Sequence, residues 1–338
     1  MNKKNRISRL LGEYSYIAVF IIILIVYAFT NHGLTISGLM NVLRHSAVVG
    51  IIGLGMGMIC LTGDIDLSVG SMLALVSGFS VIIFNLTDNI LLTLLFSVAF
   101  GGLCGLINGS LVGFIKIPAF IATLATMLIY RSFAQYFCQH MGKELIGGGS
   151  SVYKMANARS MYQTMYQFGN GKLAAVPFVG LILLLMTVLL VYVTRNTKYG
   201  KRIYAVGSNA KAAVMTGINA DGVRVSVFLA AGLLVGLASF IWIAMNASSD
   251  PATTGSSYEM YAIAAVVLGG ISMSGGRGKM LGILFGAMSY TVIDKIIVAL
   301  KMDSLINNAI KGIILIIVIM IQIIGPRIKA SLMRHKTA

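Results

Sequence analysis

The chain has 338 residues, 57% of them hydrophobic and 11% charged, with a mean hydropathy of +0.89 and a formal net charge of +16. Soluble globular domains carry about 25% charged residues, so this composition excludes a soluble enzyme and requires a membrane protein. The positive charge is then topological rather than a nucleic-acid footprint, because Lys and Arg accumulate in cytoplasmic loops; no nucleic-acid partner is expected.

The basic N-terminus (Lys3, Lys4, Arg6, Arg9) precedes an apolar run from Tyr14 to Phe29. No small-x-small cleavage site follows it and many apolar runs come later, so it reads as an uncleaved first helix rather than a signal peptide. A membrane helix needs about 20 mainly apolar residues. On that basis ten segments are expected, at 13–30, 46–62, 66–85, 90–113, 118–138, 173–195, 225–246, 258–273, 280–300 and 304–325. The second, third and eighth are short or broken by glycine. The fold class is therefore an all-α, polytopic membrane helical bundle with glycine-broken hairpins. One transmembrane domain covers 1–338, with tails at 1–12 and 326–338 and a long basic loop at 196–224. Ten spans put both termini on one side. The segments on that side hold 17 of the 26 Lys and Arg residues and the opposite segments 6, which predicts cytoplasmic termini in a bacterial inner membrane.

Four stretches carry the polar chemistry. The first is Thr62-Gly63-Asp64-Ile65-Asp66-Leu67-Ser68-Val69-Gly70-Ser71, which places Asp64 and Asp66 between two apolar runs in a chain with only 10 Asp and Glu. Ionised groups at such places face protein, a cavity or water, and the flanking Gly and Ser permit irregular backbone. Asp66 has two readings, a cap for the N–H groups of the helix that starts near Ser68, or a wall of a polar path. Next, Gly101, Gly105, Gly109 and Gly113 recur every fourth residue and predict a helix face built for close backbone approach. In the basic loop, Asn209 to Gly217 reads as a short helix: Asn209 as cap, Ala210, Ala212 and Ala213 as strong formers, Gly217 as stop. The last is Ser248 to Glu259, a polar loop leading back into an apolar helix. Glu259 suits the first-turn dipole and equally suits an incoming hydroxylated ligand.

An internal echo relates Gly63–Gly70 to Gly269–Gly276 through the pattern G-x-I-x-[LM]-S-x-G, which adds Ser272 and Ser274 to the candidates for a second broken hairpin. Gly275-Gly276-Arg277-Gly278-Lys279-Met280 lacks the spacing and the hydroxyl of a P-loop, so ATP chemistry would belong to another chain. Cys60, Cys104 and Cys138 sit in apolar runs as small packing residues, and His32, His45, His140 and His335 have no ligand spacing. Neither a metal nor a cofactor is expected.

From Asn41 to Ile324 these blocks, taken in order, resemble the permease subunits of bacterial ABC importers for monosaccharides of the ribose/galactose/xylose type. The blocks are Leu61–Ser71, Ile117–Met127, Tyr204–Asn209 through Ala212-Ala213 to Gly217-Ile218-Asn219, Tyr258-Glu259 with Ala262–Gly270, and Ser272–Gly278. The resemblance implies a dimeric permease core, with a second copy or a paralogous permease, two cytoplasmic ATPase domains and an extracytoplasmic sugar-binding protein. It also implies that Asn209, Ala212, Ala213 and Gly217 form the segment that touches the ATPase. The chain departs from the family pattern at Asp64, which is extra, at Met260-Tyr261, where an acid is lost, and at Asp294-Lys295, which replaces an Asn-Gly pair. The expected function is an ATP-driven monosaccharide importer subunit, not an enzyme. The alternatives are an ion-coupled secondary transporter or an ABC permease for an autoinducer-type sugar, a nucleoside or a branched-chain amino acid.

Overall fold

The computed structural model describes residues 15–30, 33–148 and 151–301, with isolated positions between 309 and 320. Twelve helices form among them: α1 (Ser15–Thr30), α2 (Ile36–Thr62), α3 (Val69–Thr87), α4 (Ile90–Gly113), α5 (Ala119–His140), α6 (Tyr162–Asn170), α7 (Phe178–Asn196), α8 (Lys198–Ser208), α9 (Ala210–Met215), α10 (Ala220–Asn246), α11 (Tyr258–Leu268) and α12 (Met280–Ala299). Four two-residue strands complete the description: β1 (Tyr153–Lys154), β2 (Lys172–Leu173), β3 (Val176–Pro177) and β4 (Ser248–Ser249). Antiparallel pairs join β1 to β4, with Tyr153 opposite Ser249, and β2 to β3.

Six helices, α2, α3, α4, α7, α10 and α12, are long and apolar enough to cross a membrane. Ten segments were expected, and the difference has physical causes. Of the first segment, only Ser15–Thr30 is described, and the residues on either side of α1 lie outside the described residues. The 22 residues of α5 are diluted by Arg131 and other polar groups. Helix α11 stops after 11 residues, because Gly269 and Gly270 break the run that the sequence extends to 273. The segment 304–325 lies almost wholly outside the described residues, as do both tails.

Helix α2 is the axis of the bundle. Ile51, Ile52, Leu54, Met56, Ile59 and Leu61 are all buried, and helices with no polar face are found inside bundles rather than on them. It begins ten residues earlier than the apolar run suggests. Thr35 Oγ1 accepts from the Gly38 N–H at 3.0 Å as an N-cap, and the polar trio Arg44, His45 and Ser46 lies within the helix instead of before it. The Ser46 hydroxyl bonds back to Val42 O, and Arg44 donates to the Asn170 side chain on α6. Around this axis, α4 and α7 turn most of their surface outward, with Leu91, Leu95, Leu103, Leu185 and Val188 exposed as a lipid-facing band.

The glycine stripe on α4 does what its spacing implies. It lies against α10 with no side chain between the backbones. A methyl on Gly101 would lie 2.5 Å from Gly232 O and 2.6 Å from Gly236 N; one on Gly109 would lie 2.8 Å from Val225 O. Because lipid supplies no hydrophobic drive between helices, this contact depends on dispersion at minimum separation.

Residues 141–148 and 151–161 form a lobe that folds inward. Tyr153 is fully buried; its ring fills the notch left by Gly78, and its hydroxyl donates to Ala134 O at 2.8 Å. The buried Asn85 side chain donates to Leu145 O and Lys154 O, both at 2.9 Å, and accepts from the Ala156 N–H at 2.8 Å.

Candidate functional site

The hairpin between α2 and α3 ends one helix and starts the next within six residues. Gly63 adopts φ 88°, and two hydrogen bonds close α2: Gly63 N–H to Cys60 O and Asp64 N–H to Ile59 O. That closure needs a left-handed residue, which glycine supplies without steric cost. Asp64 then turns toward α10, with Oδ2 lying 3.1 Å from Arg224 Nε. The distance is that of an ion pair, although the N–H is not aimed as a hydrogen bond. Thr62 Oγ1 donates to the same carboxylate at 3.2 Å.

Asp66 faces the other way and is buried, at 1% exposure. Its Oδ1 accepts from Ser68 N–H at 2.8 Å and from Ser68 Oγ at 2.6 Å, and its Oδ2 accepts from Asn108 Nδ2 at 3.3 Å. Asn108 also donates to Ser68 Oγ at 2.8 Å, and Tyr130 of α5 donates to Cys104 O at 3.0 Å beside it. Thr123 Oγ1 accepts from Leu67 N–H at 3.1 Å. The carboxylate thus accepts from the Ser68 N–H just ahead of α3 and ties the hairpin to α4 through Asn108, while Thr123 ties it to α5 through Leu67. Both readings of Asp66 stand: it bonds next to the helix start, and it lies within the hairpin. Asn108, Thr123 and Tyr130 escaped sequence reasoning because nothing local marks a polar residue on an apolar helix as a partner of a group dozens of residues away.

The second break, 269–279, repeats the first closure. Gly270 has φ 78°, with Gly270 N–H to Val267 O and Ile271 N–H to Val266 O, the same pair of bonds as at Gly63. The structural equivalence is therefore Gly63 with Gly270, one residue out of step with the sequence echo, which paired Gly63 with Gly269. The half-buried Ser272 holds the turn: its N–H donates to Arg277 O at 2.9 Å, and its Oγ accepts from Ser274 N–H at 3.2 Å, while Ser274 is exposed. The two breaks touch through Gly276 N–H to Leu61 O at 3.0 Å.

Helix α8 closes over that junction. A methyl on Gly207 would sit 2.7 Å from Gly276 N, and Tyr204 donates its hydroxyl to Gly278 O at 2.8 Å. Beyond it, α9 forms as its sequence implies. Asn209 Oδ1 accepts from Ala212 N–H at 3.0 Å. Gly217, with φ 83°, ends the helix through its own N–H to Val214 O and Ile218 N–H to Ala213 O, a third copy of the closure. Ala213 is buried, while Ala212, Val214 and Met215 face outward, Met215 at 89% exposure. The basic loop expected at 196–224 is thus largely helical, because Thr197 Oγ1 caps α8 through Gly200 N–H at 3.1 Å.

Glu259, half-buried in the first turn of α11, lies against the start of α3. A methyl on Gly70 would come 2.7 Å from Glu259 Oε2. The loop before it is held from α5: Arg131 Nη1 donates to Pro251 O at 2.9 Å and Thr254 O at 2.7 Å, with Glu259 and Asp250 as the nearby opposite charges. The sequence gives no signal of this clasp, which joins positions more than 100 residues apart. Among the described residues, no group of three His, Cys, Asp or Glu comes together as a metal site.

Long apolar helices, breaks closed by glycine and a capped helical segment beside those breaks define a polytopic membrane protein of the transporter type. The chain belongs to the branched-chain amino acid transport system / permease component family, whose model matches residues 38–321. It is 34% identical over 307 residues to the Ribose import permease protein RbsC of Bacillus subtilis (strain 168), covering 91% of each chain. It is 32% identical over 313 residues to the protein of the same name in Escherichia coli (strain K12), covering 93% of this chain and 94% of the relative. The Autoinducer 2 import system permease protein LsrC of Enterobacter sp. (strain 638) is 30% identical over 324 residues, 96% of this chain and 89% of the relative. No solved structure matches the chain.

Proposed function

We propose that this chain is the membrane-spanning subunit of an ATP-driven importer that carries a monosaccharide across the bacterial inner membrane. The observation that carries the reading is the identity of 32–34% to ribose import permeases, extending over more than nine-tenths of both chains. The chain is a permease component without a nucleotide site of its own, so a cytoplasmic ATPase supplies the energy and an extracytoplasmic binding protein delivers the sugar. Each of these partners favours a different state of the pore, the condition for alternating access.

In this proposal one transmembrane domain makes ten spans with both termini cytoplasmic, and a second permease copy or a paralogue completes the core. Asn209, Ala212, Ala213 and Gly217 form the segment that meets the ATPase, with Ala213 as its buried underside; the cap at Asn209 and the exposure of Ala212 support that role. Asp64, Asp66, Ser68, Ser272, Ser274 and Glu259 mark the broken hairpins next to the path. Arg195, Lys201 and Lys279 line a cavity of about 640 Å³ at the end of α7, and such a basic pocket suits anionic membrane lipid. A second reading, import of an autoinducer-type sugar, rests on the likeness to LsrC.

The test is sugar uptake in cells carrying Gly217→Trp or Ala213→Glu. Uptake is expected to fall while the ATPase still assembles or to be lost with its release. Unchanged uptake with the ATPase still copurifying refutes the coupling assignment.

A further inference from the structure

A cavity of about 480 Å³ lies between α1, α2, α11 and α12, away from both broken hairpins. Its size falls within the range of small-molecule sites, about 300–1,000 Å³. Tyr290 and, one turn on, Asp294 and Lys295 enter it from α12, Tyr261 from α11, His45 from α2 and Tyr27 from α1. Polar side chains thus converge on one volume from four helices. An ionisable residue within a bundle marks function by default.

The chemistry of the walls is specific. Asp294 accepts, Lys295 donates, and their charges cancel, so a charged ligand gains little at one that it does not lose at the other. The tyrosines supply flat faces for C–H surfaces and hydroxyls at their rims. Tyr261 and Tyr290 lie 4.9 Å apart, and Tyr258 lies 5.4 Å from Tyr261, so the rings form a continuous wall. A branched-chain amino acid would match the charge pair, but it would also need an aliphatic pocket, and beside four tyrosines the aliphatic lining is Val49, Val298 and Ala299 alone. Resting on the sugar-importer reading, we propose that this cavity is a binding station for a neutral polyhydroxylated monosaccharide, with Asp294 and Lys295 bonding its hydroxyls and Tyr261 and Tyr290 covering its ring. Asp294 and Lys295 then set this chain's preference among sugars.

The experiment uses the whole importer, with its ATPase and binding protein, in proteoliposomes, and follows uptake of D-ribose and L-leucine. Asp294→Asn, Lys295→Met and Tyr290→Phe are each compared with the unaltered chain, and binding-protein-stimulated ATP hydrolysis is measured in parallel. The expected result is that D-ribose uptake falls about tenfold with Asp294→Asn, the loss of one hydrogen bond to a charged group, while hydrolysis persists. Wild-type D-ribose uptake in all three variants overturns the cavity and leaves the importer reading standing. Uptake of L-leucine but not D-ribose by the unaltered importer overturns the importer reading, and the cavity assignment with it. Parallel loss of uptake and hydrolysis in all three variants also overturns the proposal, because it marks these residues as structural.

Discussion

Adding one methyl group at two adjacent glycines of α4 should have opposite effects. At Gly101 the methyl would meet Gly232 O at 2.5 Å, Gly236 N at 2.6 Å and Gly236 Cα at 2.7 Å, all backbone atoms of α10 that no rotamer change can move. Ordinary carbon contacts begin near about 3.5 Å, so α4 and α10 must part by roughly 1 Å, which forfeits a quarter to a half of their dispersion along the seam. Overpacking of this kind costs about 1–3 kcal/mol, against a helix-propensity gain for alanine of about 1 kcal/mol, so Gly101→Ala is destabilising by about 1–2 kcal/mol once the lost seam contact is included. At Gly102 the methyl meets Leu233 Cδ2 at 2.7 Å, the tip of a side chain that is 38% exposed and free to turn. There the propensity gain prevails, and Gly102→Ala is neutral or stabilising. Thermal unfolding of the purified chain in detergent, followed through its single tryptophan, Trp242 on α10, reads the difference. A shift of about 2–4 °C per kcal/mol is the scale for chains of about 150–250 residues. Equal melting of the two variants, or a Gly101→Ala chain as stable as the parent, would refute the backbone-seam argument.

Asp66→Ala should harm membrane abundance and uptake more than Asp64→Ala, since it strips acceptors from Ser68 and Asn108 in a closed site, where a hydrogen bond to a charged group contributes about 1.5–3 kcal/mol; equal and mild effects in immunoblot and uptake would contradict that ranking. Asn85→Leu leaves Leu145 O, Lys154 O and Ala156 N–H without their side-chain partner and should make 141–161 susceptible to protease in intact vesicles; parental resistance would count against the clamp. Outside the spans, the Ser160 hydroxyl, aided by the Ser160 and Met161 amides, holds the Asp88 carboxyl below its ordinary value. A lowered folded value means that the contribution is complete above the ordinary carboxylate range and is lost as pH falls through the lowered value. Exchange protection at Ser160 and Met161 should therefore drop only in acid, and Asp88→Asn should flatten the profile; an unchanged profile in the variant would exclude Asp88 as its source.

What could be read from the chain was what its local chemistry fixes. Asn209 as cap, Gly217 as stop and the four-residue glycine stripe each depend on neighbours within one or two turns, and each formed as read. The bond from Asp66 to the Ser68 N–H two residues on is local in the same way. The inward packing of 151–161 was not, because Tyr153 finds Gly78 and Asn85 finds Lys154 across long stretches of sequence. Span bounds shifted where length and apolarity separate: α11 is apolar but stops at Gly269, while α2 continues through Arg44 and His45, ahead of the apolar run read from 46. The echo was real in kind but wrong in register, since matching letters favoured Gly269 whereas the left-handed turn belongs to Gly270.

The three cysteines, Cys60, Cys104 and Cys138, are all free and all buried. The native thiols are therefore shielded from a bulky, membrane-impermeant maleimide added to sealed vesicles. Gly142 and Gly148 have open space where a side chain would go, so one cysteine introduced at Gly142 can be labelled against a quiet background without first removing the natural three. Labelling from one face of the vesicle then reports directly which side of the bilayer the lobe occupies.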